Sequence, residues 1–249
     1  MESIMYALVG FGLGLFGFYY GFARLQLKRL IETTPTSTVR SIAMGTVEVQ
    51  GIVAPAKKTL LTSPLSGKPC VYYAYAVEEY RSSGKHSRWV TIRSGSKGTP
   101  FFARDKTGSV LVDPQGAKIE IPKDIRYESR LGIDPPKSVQ KFLKTERIPF
   151  ESFFGMNKTM RFTESYIAPE DTLYVLGYAQ DNPHVEEGTG QKNEEDIVIG
   201  KGGRVFFISD KPEKDILKTL SWNVYLFIYG GAALSLACLA VILIYFGLF

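Results

Sequence analysis

The sequence predicts a mainly β body, an antiparallel barrel or sandwich with some α, flanked by two transmembrane α-helices. Three observations carry this. Ile4–Ala23 and Val224–Phe249 contain no charge, and each reaches the ~20 apolar residues that a spanning helix needs. The residues between them, roughly 200, are enough for a substantial domain. They also break into short alternating segments separated by glycine and proline turns, the pattern of an all-β barrel or sandwich.

Taken in order, residues 1–23 hold the first span, at 4–23. Its glycines Gly10, Gly14, Gly17 and Gly21 fall on one helical face, where small residues let another helix approach closely. Glu2 precedes the apolar run, so a basic secretory leader is not expected. Residues 24–44 are a juxtamembrane helix and linker. Arg24, Lys28 and Arg29 lie at headgroup level there, and Thr33–Thr38 breaks the helix.

Residues 45–210 form the β-rich body. Thr46–Val53 alternates, with Gly51 marking a bulge. Cys70–Tyr80 is apolar or aromatic on both faces, which predicts the central strand. Arg88–Arg93 reads as a half-exposed strand. Pro100–Asp113 predicts a hairpin around Asp105-Lys106-Thr107-Gly108, followed by a β-turn at Asp113–Gly116 and a strand at Ala117–Ile121. Pro135-Pro136 opens a short basic helix. Met160–Ile167, Thr172–Ala179 and Arg204–Ser209 complete the strands, and Asp181–Asp196 is expected to be a loop.

Residues 211–223 are a second juxtamembrane helix carrying Lys214 and Lys218, again suited to headgroup contact. Residues 224–249 hold the second span, with Gly230, Ala233, Ala237 and Ala240 on one face. The two small-residue faces are expected to pack together, within one chain or between copies in a homo-oligomer. Trp222, Tyr225 and Tyr229 suit an interfacial belt. The cations beside both spans place the body in the cytoplasm and both termini outside.

Chemistry is harder to find. The chain has two cysteines and two histidines, too few for a zinc finger or RING. Cys70 and His86 are the one pairing that would suit a thiol nucleophile, but Cys70 sits among Val71, Tyr72 and Tyr73, an apolar setting that disfavours the thiolate. His184 reads as a solvated loop residue. Gly200-Lys201-Gly202-Gly203 lacks the Walker spacing and precedes a strand, so it reads as a turn. Glu78-Glu79 and Glu186-Glu187 read as solvated surface. The cations around Trp89 favour anionic lipid over nucleic acid, given the adjacent membrane. No cofactor, metal or nucleic-acid partner is expected; the expected partners are the bilayer and a protein.

Four segments together resemble one family. TPTSTVRSIAMGTVEVQGIV, SPLSGKPCVYYAYAVEEY with its following Trp89, PFFARDKTGSVLVDPQGA, and VFFISD before the second span are similar to the GIDE-type membrane proteins. The resemblance runs from about Pro35 to the C-terminus, and Ser63–Cys70 and Asp105–Pro114 are its most specific pieces. It implies a "beside a membrane" (BAM) domain between two spans, as in MULAN-like mitochondrial ubiquitin ligases, and a prokaryotic, chiefly archaeal, relative without the RING. Ligase activity resides in the RING and is not carried over; a role in recognising partners is. In the mitochondrial members this domain faces the intermembrane space, opposite to the side that the flanking cations predict.

Overall fold

A computed structural model describes residues 2–56, 60–83, 86–151, 157–182, 196–203 and 205–247. His184 and Glu186-Glu187 lie outside them. The chain divides into two compact units, Met1–Pro35 with Lys211–Phe249, and Thr36–Asp210.

The first unit is a helix pair, α1 at Glu2–Thr33 and a second long helix at Glu213–Tyr245. At 1.5 Å per residue each is about 50 Å long, so its polar end continues past a hydrocarbon layer of ~30 Å. Both are long and apolar enough to cross a membrane. Only 17% and 11% of their most apolar stretches is buried within the protein, unlike the core helix of a water-soluble domain.

The second unit is built on β1 (Gly45–Pro55), β2 (Leu61–Thr62), β3 (Pro69–Cys70), β4 (Tyr72–Ser83), β5 (His86–Gly98), β6 (Phe101–Arg104), β7 (Ser109–Val112), β8 (Lys118–Glu120), β9 (Ile125–Ser129), α2 (Lys137–Thr145), β10 (Met160–Ile167), β11 (Thr172–Asp181), β12 (Ile197–Gly200) and β13 (Phe207–Ser209). The long helix of the first unit, Glu213–Tyr245, is therefore α3.

Five of these strands close on themselves. β1 pairs with β6, β6 with β7, β7 with β12, β12 with β11, and β11 returns to β1. Counted along the chain, the closed order is 1-2-3-5-4-1, and the single parallel pair, β7 with β12, joins the third strand to the fifth. This is the connectivity of the OB type of five-stranded barrel. Alternation explains the filling: Val47, Val49 and Val53 of β1, Phe101 and Ala103 of β6, and Val110 and Val112 of β7 all reach one core, while their neighbours point to the other face, where Glu48, itself buried, accepts from Tyr174 Oη at 2.7 Å. The hairpin between β6 and β7 is tied by Asp105, whose carboxylate accepts from the Thr107 and Gly108 amides and from the Val39 amide. Burial works against that charge, yet these hydrogen bonds, the Thr107 hydroxyl foremost, hold the Asp105 carboxyl below its ordinary range.

β4, β5, β9 and β10 form a separate antiparallel sheet in the order β5-β4-β10-β9. α2 covers one of its faces. Val139 and Leu143 of α2 pack with Val77, Met160, Phe162 and Leu65, and Tyr75 meets Phe142 edge to face at 5.1 Å.

Several sequence expectations change here. β4 is interior to its sheet, but Tyr72 to Ala76 are only half-buried, and Val77 is its one fully enclosed residue. β11, by contrast, is buried continuously from Leu173 to Gly177 and hydrogen-bonds to β1, β12 and β13. Gly51 is not a bulge: β1 keeps regular register there, and a Cβ would lie 3.0 Å from the Arg104 amide, so it is a close-approach position. The irregularity is instead opposite Val77 and Glu78, where Ile92 is the extra residue of β5. β9 and β12 form strands that the sequence did not predict, and two pairings, β7 with β12 and β8 with β13, are parallel.

Candidate binding surfaces

In the helix pair, the α1 glycines meet α3. A Cβ on Gly10 would lie 2.7 Å from Cys238 Sγ, one on Gly14 would clash with Ser235 Oγ and lie 2.8 Å from the Gly231 carbonyl, and one on Gly21 would lie 2.6 Å from Ile228. Gly17 has ordinary contact with Gly231 and Phe227. The matching face of α3 is therefore Phe227, Ile228, Gly231, Ser235 and Cys238. The expected intrachain partners Gly230, Ala233, Ala237 and Ala240 are all exposed instead. Both faces of α3 carry small residues, and the one used is displaced by about one position because Gly231, the residue nearest the α1 backbone, has room only for hydrogen.

The predicted headgroup cations lie at the polar ends of these helices. Arg24 donates to Tyr20 Oη at 2.9 Å and stacks on its ring. Lys28 pairs with Glu32 at 3.4 Å, and Arg29, Lys214 and Lys218 are exposed. Trp222, Tyr225 and Tyr229 are exposed as well, the two tyrosines stacked at 5.6 Å.

In the body, Cys70 is closed off. It is fully buried, its Sγ contacts the Leu61 carbonyl at 3.7 Å, and burial, with the Glu164 carboxylate behind it, pushes the thiol up to about 11. His86 is paired with Ser83 at the far end of the hairpin that β4 makes with β5. The length of β4 alone, roughly 40 Å at ~3.3 Å per residue, separates them, so the two do not form a catalytic pair. Glu164 itself is structural. Its buried carboxylate accepts from the Leu65 amide at 2.7 Å, the Ser66 amide at 3.0 Å and the Ser66 hydroxyl, and so fixes the Ser63–Cys70 turn.

Two shallow grooves of about 520 and 480 Å³ flank the Asp113–Gly116 turn. One is lined by Tyr72, Lys97 and Ile119, the other by Leu111, Val198, Gln180 and Lys201. The glycine run begins in the second, with Gly200 and Lys201, and at Gly202 a Cβ would lie 2.6 Å from the Tyr178 ring. No cluster of metal-ligating side chains occurs among the described residues.

The open side of the four-stranded sheet is more distinctive. β5 is its terminal strand, 13 residues long, and exposes Arg88, Arg93 and Lys97 without a single acid. At its hairpin end Tyr80 and Trp89 lie 5.2 Å apart, and the Arg161 guanidinium sits 3.9 Å over the Trp89 ring. Arg161 also donates to Glu128 at 3.0 Å. Glu128 is held below the ordinary carboxylate range by hydrogen bonds from Arg126 and Arg161.

A family model described as E3 Ubiquitin ligase, GIDE, matches residues 72–243, well over half of the chain. The chain belongs to the GIDE family. No curated protein and no solved structure matches it.

The GIDE match begins at β4 and ends inside α3, so it takes in the whole four-stranded sheet and most of the barrel. The Ser63–Cys70 turn, among the most specific pieces of the sequence resemblance, lies before it. Sequence reasoning located the cations of β5 but not their position on a free edge, because edge status depends on a β4–β10 pairing that no local pattern encodes.

Proposed function

We propose that this GIDE protein is a two-span membrane protein whose β body is a non-enzymatic binding module for a protein partner. The observation that carries this reading is β5, a long terminal strand whose outer backbone edge has no partner strand among the described residues and whose charged side chains are all cationic. Its cations and the extra residue Ile92 guard such an edge against pairing with a second copy, while strand addition by an extended peptide of opposite charge is a recurring mode of recognition. The cations select an acidic peptide. The flanking Arg24, Lys28, Arg29, Lys214 and Lys218 serve as headgroup contacts and favour a cytoplasmic body.

The test is amide hydrogen exchange on the full-length protein with the peptides EVEVEVE and KVKVKVK. Protection confined to His86–Gly98, given by the first peptide alone and weakened by salt, is expected. No protection, or equal protection by both, would defeat the reading.

The family description favours a second reading, a component of ubiquitin transfer. In that case the full-length protein would accelerate discharge of ubiquitin from a charged conjugating enzyme. The binding-module reading expects no acceleration.

A further inference from the structure

Beyond β5, the body presents one more unused surface, at the connection from β9 to α2. Arg130 and Ile133 exchange backbone hydrogen bonds, Ile133 N to Arg130 O at 2.8 Å and Arg130 N to Ile133 O at 3.3 Å. Gly132, at φ +77°, closes the two-residue turn between them. This tight turn holds Leu131 at 67% exposure and Ile133 at 46%. Among the described residues Leu131 is the most exposed large apolar residue of the body, and a hydrogen-bonded turn fixes it there.

The next element is α2, whose start is held by Gln140 donating from its side chain to the Pro135 carbonyl at 2.8 Å. Val139 and Leu143 face the core, so Lys137, Lys141 and Lys144, at spacings of four and three, share the opposite, exposed face. Ile133 precedes Lys137 by four residues, at most about 14 Å of chain. Arg130 lies in the turn itself and Arg147 follows the C-terminus of α2, both exposed. None of these five cations pairs with a carboxylate among the described residues, whereas the nearby acids Asp134 and Glu146 bond to Asn157 and Arg93.

We infer that the Leu131 turn and the lysine face of α2 form a docking surface for an anionic lipid bilayer, the turn inserting among the headgroups and the lysines lying on the phosphates. An apolar tip beside unpaired cations matches such a surface in both of its chemical parts: buried CH₂ groups supply adhesion, and each basic residue near an anionic surface adds about fivefold in affinity. An acidic protein would answer the lysines, but it offers no reason for a rigid exposed leucine. The inference rests on the body being a binding module, and it assigns that module its second partner.

The experiment uses the full-length protein carrying Leu131→Cys and Cys238→Ser, labelled with the environment-sensitive dye NBD; buried Cys70 stays unlabelled. The protein is reconstituted in nanodiscs of phosphatidylcholine, with or without phosphatidylserine. Blue-shifted emission, quenched by nitroxide-bearing lipid, is expected with phosphatidylserine and should fall at least tenfold in the Lys137→Glu, Lys141→Glu, Lys144→Glu variant, whose thermal transition should be unchanged. Water-like emission in phosphatidylserine discs, or quenching that is indifferent to lipid charge and to the lysines, would overturn the inference. If β5 is still protected by EVEVEVE in that protein, the binding-module reading survives and the lipid surface alone falls.

Discussion

The barrel and the four-stranded sheet share one body but leave very different surfaces behind. In the barrel, β1, β6, β7, β12 and β11 satisfy one another in a closed ring and send valines, Phe101 and Ile199 into a common core. Among the described residues the sheet has α2 on one face, a terminal strand without a further partner at each side, and a core of Leu65, Val77, Val139, Leu143, Met160 and Phe162. A ring without edges has little left to offer a partner. An open sheet keeps backbone groups and cations such as Arg88 and Lys97 at its surface, and β5 and the Leu131 turn both belong to the open sheet or its connections.

That contrast is sharpened by mutation. Phe101→Ala in the barrel should cost about 3–5 kcal/mol, and Leu143→Ala under the sheet about 2–5 kcal/mol. In urea titrations of the full-length protein followed by tryptophan fluorescence and by circular dichroism, both should lower the body's transition. If Leu143→Ala splits it in two, the sheet is a separate cooperative unit. Glu164→Ala comes next. It removes the acceptor of the buried Leu65 amide and of the half-buried Ser66 amide, while the Ser66 hydroxyl keeps Ser63 Oγ as a partner; at about 1–3 kcal/mol for each donor left unsatisfied, a loss of roughly 3 kcal/mol is expected. A loss below about 1 kcal/mol would mean that water replaces the carboxylate.

Cys70 supplies a pH test. An unfolded thiol titrates near ~8.5, whereas burial raises this one to about 11. The folded protein therefore holds the proton more tightly; the associated stability is complete below about pH 8.5 and is lost as pH rises towards 11. Urea midpoints should fall over that window, and Cys70→Ala should flatten this component. In the same protein a thiol reagent at neutral pH should leave Cys70 unlabelled until the protein is unfolded. The smallest effect belongs to the exposed pair of Arg104 and Glu170, 3.5 Å apart. Arg104→Ala should change stability by under ~1 kcal/mol, measured by the same titration.

Much of this plan was legible in the chain. The turn at Asp105–Gly108, the Pro135-Pro136 start of α2, the alternation of β1 and the strand-like runs of β10 and β11 are local signals, and each appears as an element at or near its expected bounds. What escaped was non-local. β12 is four residues long and pairs in parallel with β7, a strand from a distant part of the chain; a run that short has no periodicity of its own. β9, IRYES, mixes charge with aromatic, which reads as loop unless β10 is known to lie beside it. The pattern of Cys70–Tyr80 points to a central strand because tyrosines count as buried in a pattern, whereas in β4 Tyr72, Tyr73 and Tyr75 are half-exposed. On α3, Gly230-Ala233-Ala237-Ala240 and Gly231-Ser235-Cys238 are equally regular stripes, and only the partner helix selects between them.

The most direct measurement is native-state hydrogen exchange on the full-length protein with no partner added. The account predicts that Leu173–Ala179 of β11, bonded on both sides, exchanges near the rate of global unfolding, while the outward amides of His86–Gly98 exchange orders of magnitude faster. Protection of β5 equal to that of β11 would show that its edge is already covered, and would contradict the claim that the open sheet is where this protein binds.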